Sequence, residues 1–283
     1  MSNKLIITAA ICGAETTRKE TPHLPVTAKE LGDEARRCLE AGASIIHLHV
    51  RKPDGTPTQE LGFFRDAFIA IRDACLELPI IQPSTGGAVG MTFDERAQPL
   101  ELCPEMATLD CGTVNFGDEI FVNDLPMMRA FADRMVKIGT IPELECFDLG
   151  HIHNAEILIK EGRLRGHCHF DLVLGVPGAM NGSADSLFKM VSSLPAGATW
   201  TVAGVGRFEL PLACVALGMG GHVRVGLEDN IFYRKGELSK GNAPLVERIV
   251  RIARELGREP AAPDEAREML GIAKNRKNKI KFE

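Results

Sequence analysis

Ser44-Ile45-Ile46-His47-Leu48-His49-Val50 is an apolar run interrupted at alternate positions by two imidazoles. Alternate residues of a β-strand share a face, so His47 and His49 are expected to project side by side from a strand end. Two imidazoles so placed make half of a zinc site. The plainer alternative is a pair of unrelated polar residues at a strand terminus. A helical pattern precedes the run, opening at Thr27 with capping-box spacing to Glu30 and stopping at Gly42.

The same alternation of elements extends in both directions. Apolar strand patterns fall at residues 4–11, 44–50, 80–84, 105–111, 141–147, 166–174, 199–205 and 222–227. Helical patterns follow them at 27–42, 60–78, 92–102, 124–139, 151–162, 184–194, 208–218 and 243–256, with one extra at 264–270. Eight strand–helix units spell an α/β protein, a (β/α)8 TIM barrel, expected as one domain over 1–283. An open doubly wound sheet would want a Gly-x-Gly-x-x-Gly directly after the first strand. Ile11-Cys12-Gly13-Ala14-Glu15 stands there instead. The basic tail, about 274–283, is expected to be frayed or docked on a partner subunit.

Composition excludes several classes of function. The chain of 283 residues is 45% hydrophobic and 25% charged, an ordinary globular balance. A net charge of -5 and 5% aromatic residues give no basic, base-stacking surface for nucleic acid. No run approaches the ~18 apolar residues of a membrane span, and the start of the chain does not read as a signal peptide. The eight cysteines are scattered without a Cys-x-x-Cys pair. They read as reduced residues of a cytoplasmic protein.

Barrel active sites form at the carboxyl ends of the strands. That rule gathers Glu15, His47, His49, Ser84, Thr85, Gly86, Gly87, Thr108, Asp110, Asn115, Glu145, Arg207, Arg224, Glu228 and Asp229 at one mouth. His47, His49 and Glu228 would surround one zinc ion and leave an open coordination position. Arg224 would hold a nearby carboxylate ionised, which suits Asp229 as a general base. By alternation Arg224 and Glu228 would share a strand face, with Asp229 pointing elsewhere or lying in the loop. Two other histidine pairs compete for the metal. His167 and His169 have the same spacing on the sixth strand, and His151 and His153 open a helix that reads as solvated. The Ser84-Thr85-Gly86-Gly87 turn offers an anion cradle. Glu145, in an apolar strand, needs a cationic substrate group or a neighbouring Arg or Lys as its partner.

Taken together, five stretches resemble the β-keto acid cleavage enzymes. They are His47-Leu48-His49-Val50-Arg51, residues 82–87 (Gln-Pro-Ser-Thr-Gly-Gly), residues 107–112 (Ala-Thr-Leu-Asp-Cys-Gly), Gly204-Val205-Gly206-Arg207 and residues 221–230 from Gly221 to Asn230. The resemblance implies a zinc-dependent barrel that converts a β-keto acid and acetyl-CoA to acetoacetate and a new acyl-CoA. It implies His47, His49 and Glu228 as metal ligands and Asp229, tuned by Arg224, as the base. Ser84, Thr108 and the Gly86 and Gly87 amides resemble the carboxylate-binding groups, with Asn115 a further candidate. Glu15 and Glu145 resemble the pair that receives a substrate amino group. The expected substrate is therefore an amino acid of the 3-keto-5-aminohexanoate type, as in lysine fermentation, giving 3-aminobutanoyl-CoA. Coenzyme A is expected among the loops after strands six to eight, with Arg207 near its phosphates. A homotetramer is implied as well. The alternatives are the same reaction on an uncharged β-keto acid and a non-catalytic metal- or metabolite-binding barrel. Two histidines and one carboxylate do not select strongly among divalent metals.

Overall fold

The computed structural model describes residues 3–164, 166–273 and 276–282. Eight parallel strands line the barrel: β1 (Ile7–Ala10), β2 (Ile45–Leu48), β3 (Ile80–Pro83), β4 (Met106–Asp110), β5 (Ile141–Cys146), β6 (His169–Leu174), β7 (Thr199–Gly204) and β8 (His222–Val225). They pair in the order β3-β2-β1-β8-β7-β6-β5-β4, so β8 closes back on β1. The remaining seam, between β3 and β4, has no backbone ladder. Pro83 at its edge has no N–H to offer. Thr85 bridges the seam with side-chain bonds instead: its N–H donates to Thr108 Oγ1 (3.1 Å) and its hydroxyl donates to Thr108 O (2.6 Å).

Helices α1 (Ala28–Ala41), α2 (Leu61–Ala74), α3 (Phe93–Arg96), α4 (Leu125–Ile138), α5 (Leu149–Lys160), α6 (Ala184–Ser192), α7 (Glu209–Met219) and α8 (Ala243–Glu255) follow the strands in turn. The expected capping box of Thr27 and Glu30 is present, and Gly42 ends α1 in the left-handed conformation at φ 115°. Helix 92–102 is not continuous. It breaks into α3 and a 3-10 turn, Gln98–Leu102, because Pro99 lacks the N–H that would bond to Glu95. The last barrel strand is also shorter than expected. It ends at Val225 because the chain turns at Gly226, whose carbonyl accepts from the N–H groups of Asp229 and Asn230; a Cβ at Gly226 would lie 2.1 Å from Ala10 O.

The core lies between the strands and the helical ring, where Ile46, Phe64, Phe68, Leu109, Phe170 and Val223 are fully buried. A second apolar cluster seals the amino-terminal end of the barrel. Ile6, Ile45, Ile80 and Met106 meet Ala266 and Leu270 of the extra helix α9 (Pro263–Met269) and its flank. Arg267 of α9 donates to the buried Glu105 carboxylate at 2.7 Å and to the carbonyls of Leu78 and Pro79. A third cluster rims the opposite mouth: Val114, Phe121, Phe147, Val173 and Val176.

The described part of the tail, expected to be frayed or docked on a partner subunit, packs on the barrel of its own chain. Arg276 is buried and donates to Gly139 O at 2.8 Å and Pro104 O at 3.1 Å, and Ile280 is 7% exposed. Residues 274, 275 and 283 of that stretch lie outside the described residues. Among the described residues no helix is long and apolar enough to cross a membrane.

Candidate active site

His47 ends up deep in the barrel because β2 pairs on both sides. Its register partner on β3 is Gln82, whose Oε1 lies 2.8 Å from His47 Nδ1. Accepting that proton, Gln82 leaves the Nε2 lone pair of His47 turned toward the mouth. His49 lies just past the strand, with the two ring centroids 5.3 Å apart. Both Nε2 atoms face one oxygen, Glu228 Oε1, at 3.4 Å and 3.6 Å. Burial lowers the His47 pKa and favours the neutral, ligating ring.

Glu228 does not reach this point by strand alternation. It sits in a turn after β8, where the N–H groups of Asp229 and Asn230 both bond to Gly226 O. Gly13 on the first loop makes room for it. Its φ is +70°, and a Cβ there would lie 2.6 Å from Glu228 Cγ. Arg51 holds that loop in place by donating to Gly13 O (2.8 Å) and Thr16 O (2.6 Å). Burial pushes the Glu228 pKa up, but His47, Arg224 and His49 outweigh it and hold the carboxyl well below the usual range. Glu228 Oε2 is buried with no hydrogen-bond partner. Two imidazole lone pairs and an unsatisfied carboxylate oxygen, their ligand atoms within 4.8 Å of one another, form a donor set that fits a divalent cation.

Arg224 is the hub beneath this cluster. It donates to Glu228 Oε1 (2.6 Å), to both Asp229 oxygens (2.8 and 3.0 Å) and to Glu145 Oε1 (3.0 Å), and stands 3.6 Å from Asp171 Oδ2. Asp229 lies in the loop after β8, the second of the two expected placements, and from there faces Arg224 as squarely as Glu228 does. Its pKa is raised by burial, with Arg224 only partly offsetting the rise. The partner that Glu145 needs is an arginine of the chain itself. Burial nonetheless raises the Glu145 carboxyl well above the usual range. Burial also lifts Asp171 to about 7 and Glu143, at the base of the cluster, to about 8.

A cavity of about 320 Å³ opens above these groups. His47, His49, Glu145, Arg224, Glu228 and Asp229 line its polar floor, joined by Ser84, Gly86, Gly87 and Asp110 from the seam side. Glu15 reaches its rim, exposed and without a hydrogen bond or ion pair among the described residues. Phe116, Phe121, Phe147, Val173 and Val176 supply an apolar collar.

Four residues expected at the mouth stand apart from the lining, among them Thr85, fully buried in the β3–β4 seam. Thr108 is fully buried, its hydroxyl engaged in the β3–β4 seam. Asn115 is exposed on the hairpin Val114–Phe116 and Glu119–Phe121, packed against Gly178. Arg207 is exposed after β7, its guanidinium 4.8 Å from the Phe208 ring centroid. Neither competing histidine pair joins the site. His169 is buried low in the barrel between the hydroxyls of Thr199 and Thr201. His151 is buried rather than solvated, accepting from Phe147 N–H at 3.2 Å.

Gln82, Asp171, Gly13 and Arg96 were missed by sequence reasoning. Asp171, an acid inside the apolar Phe170-Asp171-Leu172, carried the same signal that singled out Glu145.

Comparison with known proteins gives the same direction. The sequence profile of the beta-keto acid cleavage enzyme family matches residues 4–272. A 3-keto-5-aminohexanoate cleavage enzyme of Fusobacterium nucleatum subsp. nucleatum is 56% identical over 275 residues, 97% of this chain and 100% of the relative. Its counterpart in Acetoanaerobium sticklandii is 52% identical over 96% of this chain and 99% of the relative. Among solved structures, a ternary complex of ObcA with a C4-CoA adduct and oxalate superposes with a TM-score of 0.73 at 21% identity, covering 88% of this chain and 68% of that one. That structure speaks for the barrel alone. With a profile match over nearly the whole length and full-length relatives above half identity, this chain belongs to the beta-keto acid cleavage enzymes.

Proposed function

We propose that this chain transfers acyl groups between acetyl-CoA and 3-keto-5-aminohexanoate, yielding acetoacetate and 3-aminobutanoyl-CoA in lysine fermentation. The observation that carries the reading is the junction of two imidazoles and an unsatisfied carboxylate with an Asp229–Arg224 pair on one cavity floor. A zinc ion held by His47, His49 and Glu228 would supply Lewis-acid polarisation of the ketone when bound. The Ser84–Gly87 turn would take the carboxylate, and Glu15 the ammonium. Asp229, its basicity raised by burial, removes a proton from the carbon between carboxylate and ketone. That carbon adds to the acetyl thioester and expels CoA thiolate. The thiolate adds to the former ketone carbon, the bond to the acetylated carbon breaks, and Asp229 returns its proton to acetoacetate. Arg224 keeps the Asp229 carboxylate aimed throughout.

Zinc-loaded protein incubated with acetyl-CoA and a panel of β-keto acids should form acetoacetate fastest from the amino acid. Acetoacetate from none of them would leave a metabolite-binding barrel as the reading. Because Glu145 is paired with Arg224, Glu15 is the acid left open for an ammonium. Glu15→Gln is expected to lower kcat/KM by about tenfold or more for the amino substrate, through loss of a charge-assisted contact. Turnover of 3-oxohexanoate, which has no ammonium, should change little. Equal effects on both acids would remove Glu15 from substrate selection.

Gly13→Ala should weaken metal binding by roughly 10–100-fold, as second-layer changes do, since the new methyl must displace Glu228. Competition with a chromophoric chelator would measure it. Unchanged affinity would mean that Glu228 moves without cost to the metal. We place the protein in the cytoplasm, supported by eight cysteines that are all free thiols. The family resemblance supports a homotetramer, and it is also what places coenzyme A near Arg207.

A further inference from the structure

Asp110 presents a problem for the carboxylate cradle. It lines the cavity, and its Oδ2 lies against the turn, 3.3 Å from where a Cβ on Gly86 would be. A bare negative charge there would repel an incoming carboxylate at short range in a site sheltered from water. The chain places one fully buried arginine behind it. Arg96 is 2% exposed and donates from Nη2 to Asp110 Oδ2 at 3.1 Å. The same side chain donates from Nε to Thr85 O at 2.6 Å, inside the turn itself. Nη2 also meets Asn123 Oδ1 at 2.6 Å, and Nη1 meets Val122 O at 3.0 Å. The guanidinium carbon sits 4.9 Å and 5.5 Å from the ring centroids of Phe121 and Phe131. Its stem underlies Gly87, where a Cβ would come 3.4 Å from Arg96 Cγ.

We infer that Arg96 is a positioning residue for the keto acid: it neutralises Asp110 and fixes the Ser84–Gly87 turn, so that the turn can accept a carboxylate. Arg96 itself touches no substrate, because Asp110 and the turn stand between it and the cavity. The inference rests on the reading of that turn as the carboxylate site. It goes beyond that reading by assigning a pair outside the turn as the condition for anion binding. It also gives a reason for burying so large a cation, which is costly unless paired.

Charge removal provides the test. Calorimetric titration of 3-oxohexanoate into metal-loaded Arg96→Gln protein should show binding weakened by about tenfold or more relative to the wild type, from an uncompensated like charge. In Arg96→Gln/Asp110→Asn the charge is gone as well, and affinity should recover by about fivefold or more over Arg96→Gln, short of wild type by what the lost bond to Thr85 O contributes. Asp110→Asn alone should bind at least as tightly as wild type. It serves as the deciding measurement if Arg96→Gln does not fold. Unchanged binding in Arg96→Gln, a double variant as weak as the single, or weaker binding in Asp110→Asn would each overturn the inference. Acetoacetate formation is followed in parallel. A wild type that binds 3-oxohexanoate but forms acetoacetate from no β-keto acid, 3-keto-5-aminohexanoate included, would sink the proposed reaction, while the order of affinities would still judge Arg96.

Discussion

His47→Ala is expected to lose most bound zinc and at least about a thousandfold in kcat/KM. Two of three protein ligands would remain, and a catalytic site depends on all three to hold the metal. The loss is sharpened by what surrounds the ring. His47 is 1% exposed, and Gln82 Oε1 would be left without its donor in the barrel interior. No neighbouring histidine can substitute, because His169 lies between Thr199 and Thr201. Metal content by elemental analysis and acetoacetate formation are the two readouts, with circular dichroism as the control for folding. Full zinc occupancy in both His47→Ala and His49→Ala would refute the ligand assignment.

Arg224→Met should be the most destabilising single change in the site. One guanidinium answers Glu145, Glu228 and Asp229 directly and Asp171 at 3.6 Å. Removing one member of a buried ion pair typically costs about 3–5 kcal/mol, because the remaining charge stays buried and uncompensated. Lysine should rescue little, since a single ammonium cannot span the carboxylates that the planar fork reaches. The pH dependence has a definite sign. Asp171 and Glu143 already sit near 7 and 8 by burial, so the folded state binds more protons than the unfolded one above about pH 4. Their contribution therefore favours folding at low pH and is lost as pH rises through about 8. In Arg224→Met that decline should steepen, because the neighbouring acids rise too. Thermal melting across pH 5–9 on metal-free protein would check it, and a variant melting like wild type throughout would contradict the hub.

The fold was legible because its signals are periodic. Capping at Thr27, the stop at Gly42 and the repeated strand–helix order need only local chemistry. The nearness of His47, His49 and Glu228 was legible for a similar reason: the two histidines stand at and just past the end of β2, and β1 lies between β2 and β8. What escaped was set by pairing across the sheet. Nothing near Gln82 in the chain shows that it stands opposite His47. Nothing near Arg96, at the end of a four-residue helix, shows that it reaches Asp110. Strand alternation from Arg224 to Glu228 did not hold, because the chain turns at Gly226 and the rule fails beyond it.

The closure of the barrel by α9 has a kinetic consequence. With Arg267 and Glu105 locking that end, the described residues leave the cavity open toward the opposite mouth. If the bulky thioester is delivered through that same mouth, as proposed above, it would act as the cork. The expected kinetics are then ordered, the small acid going in first and the small product coming out last.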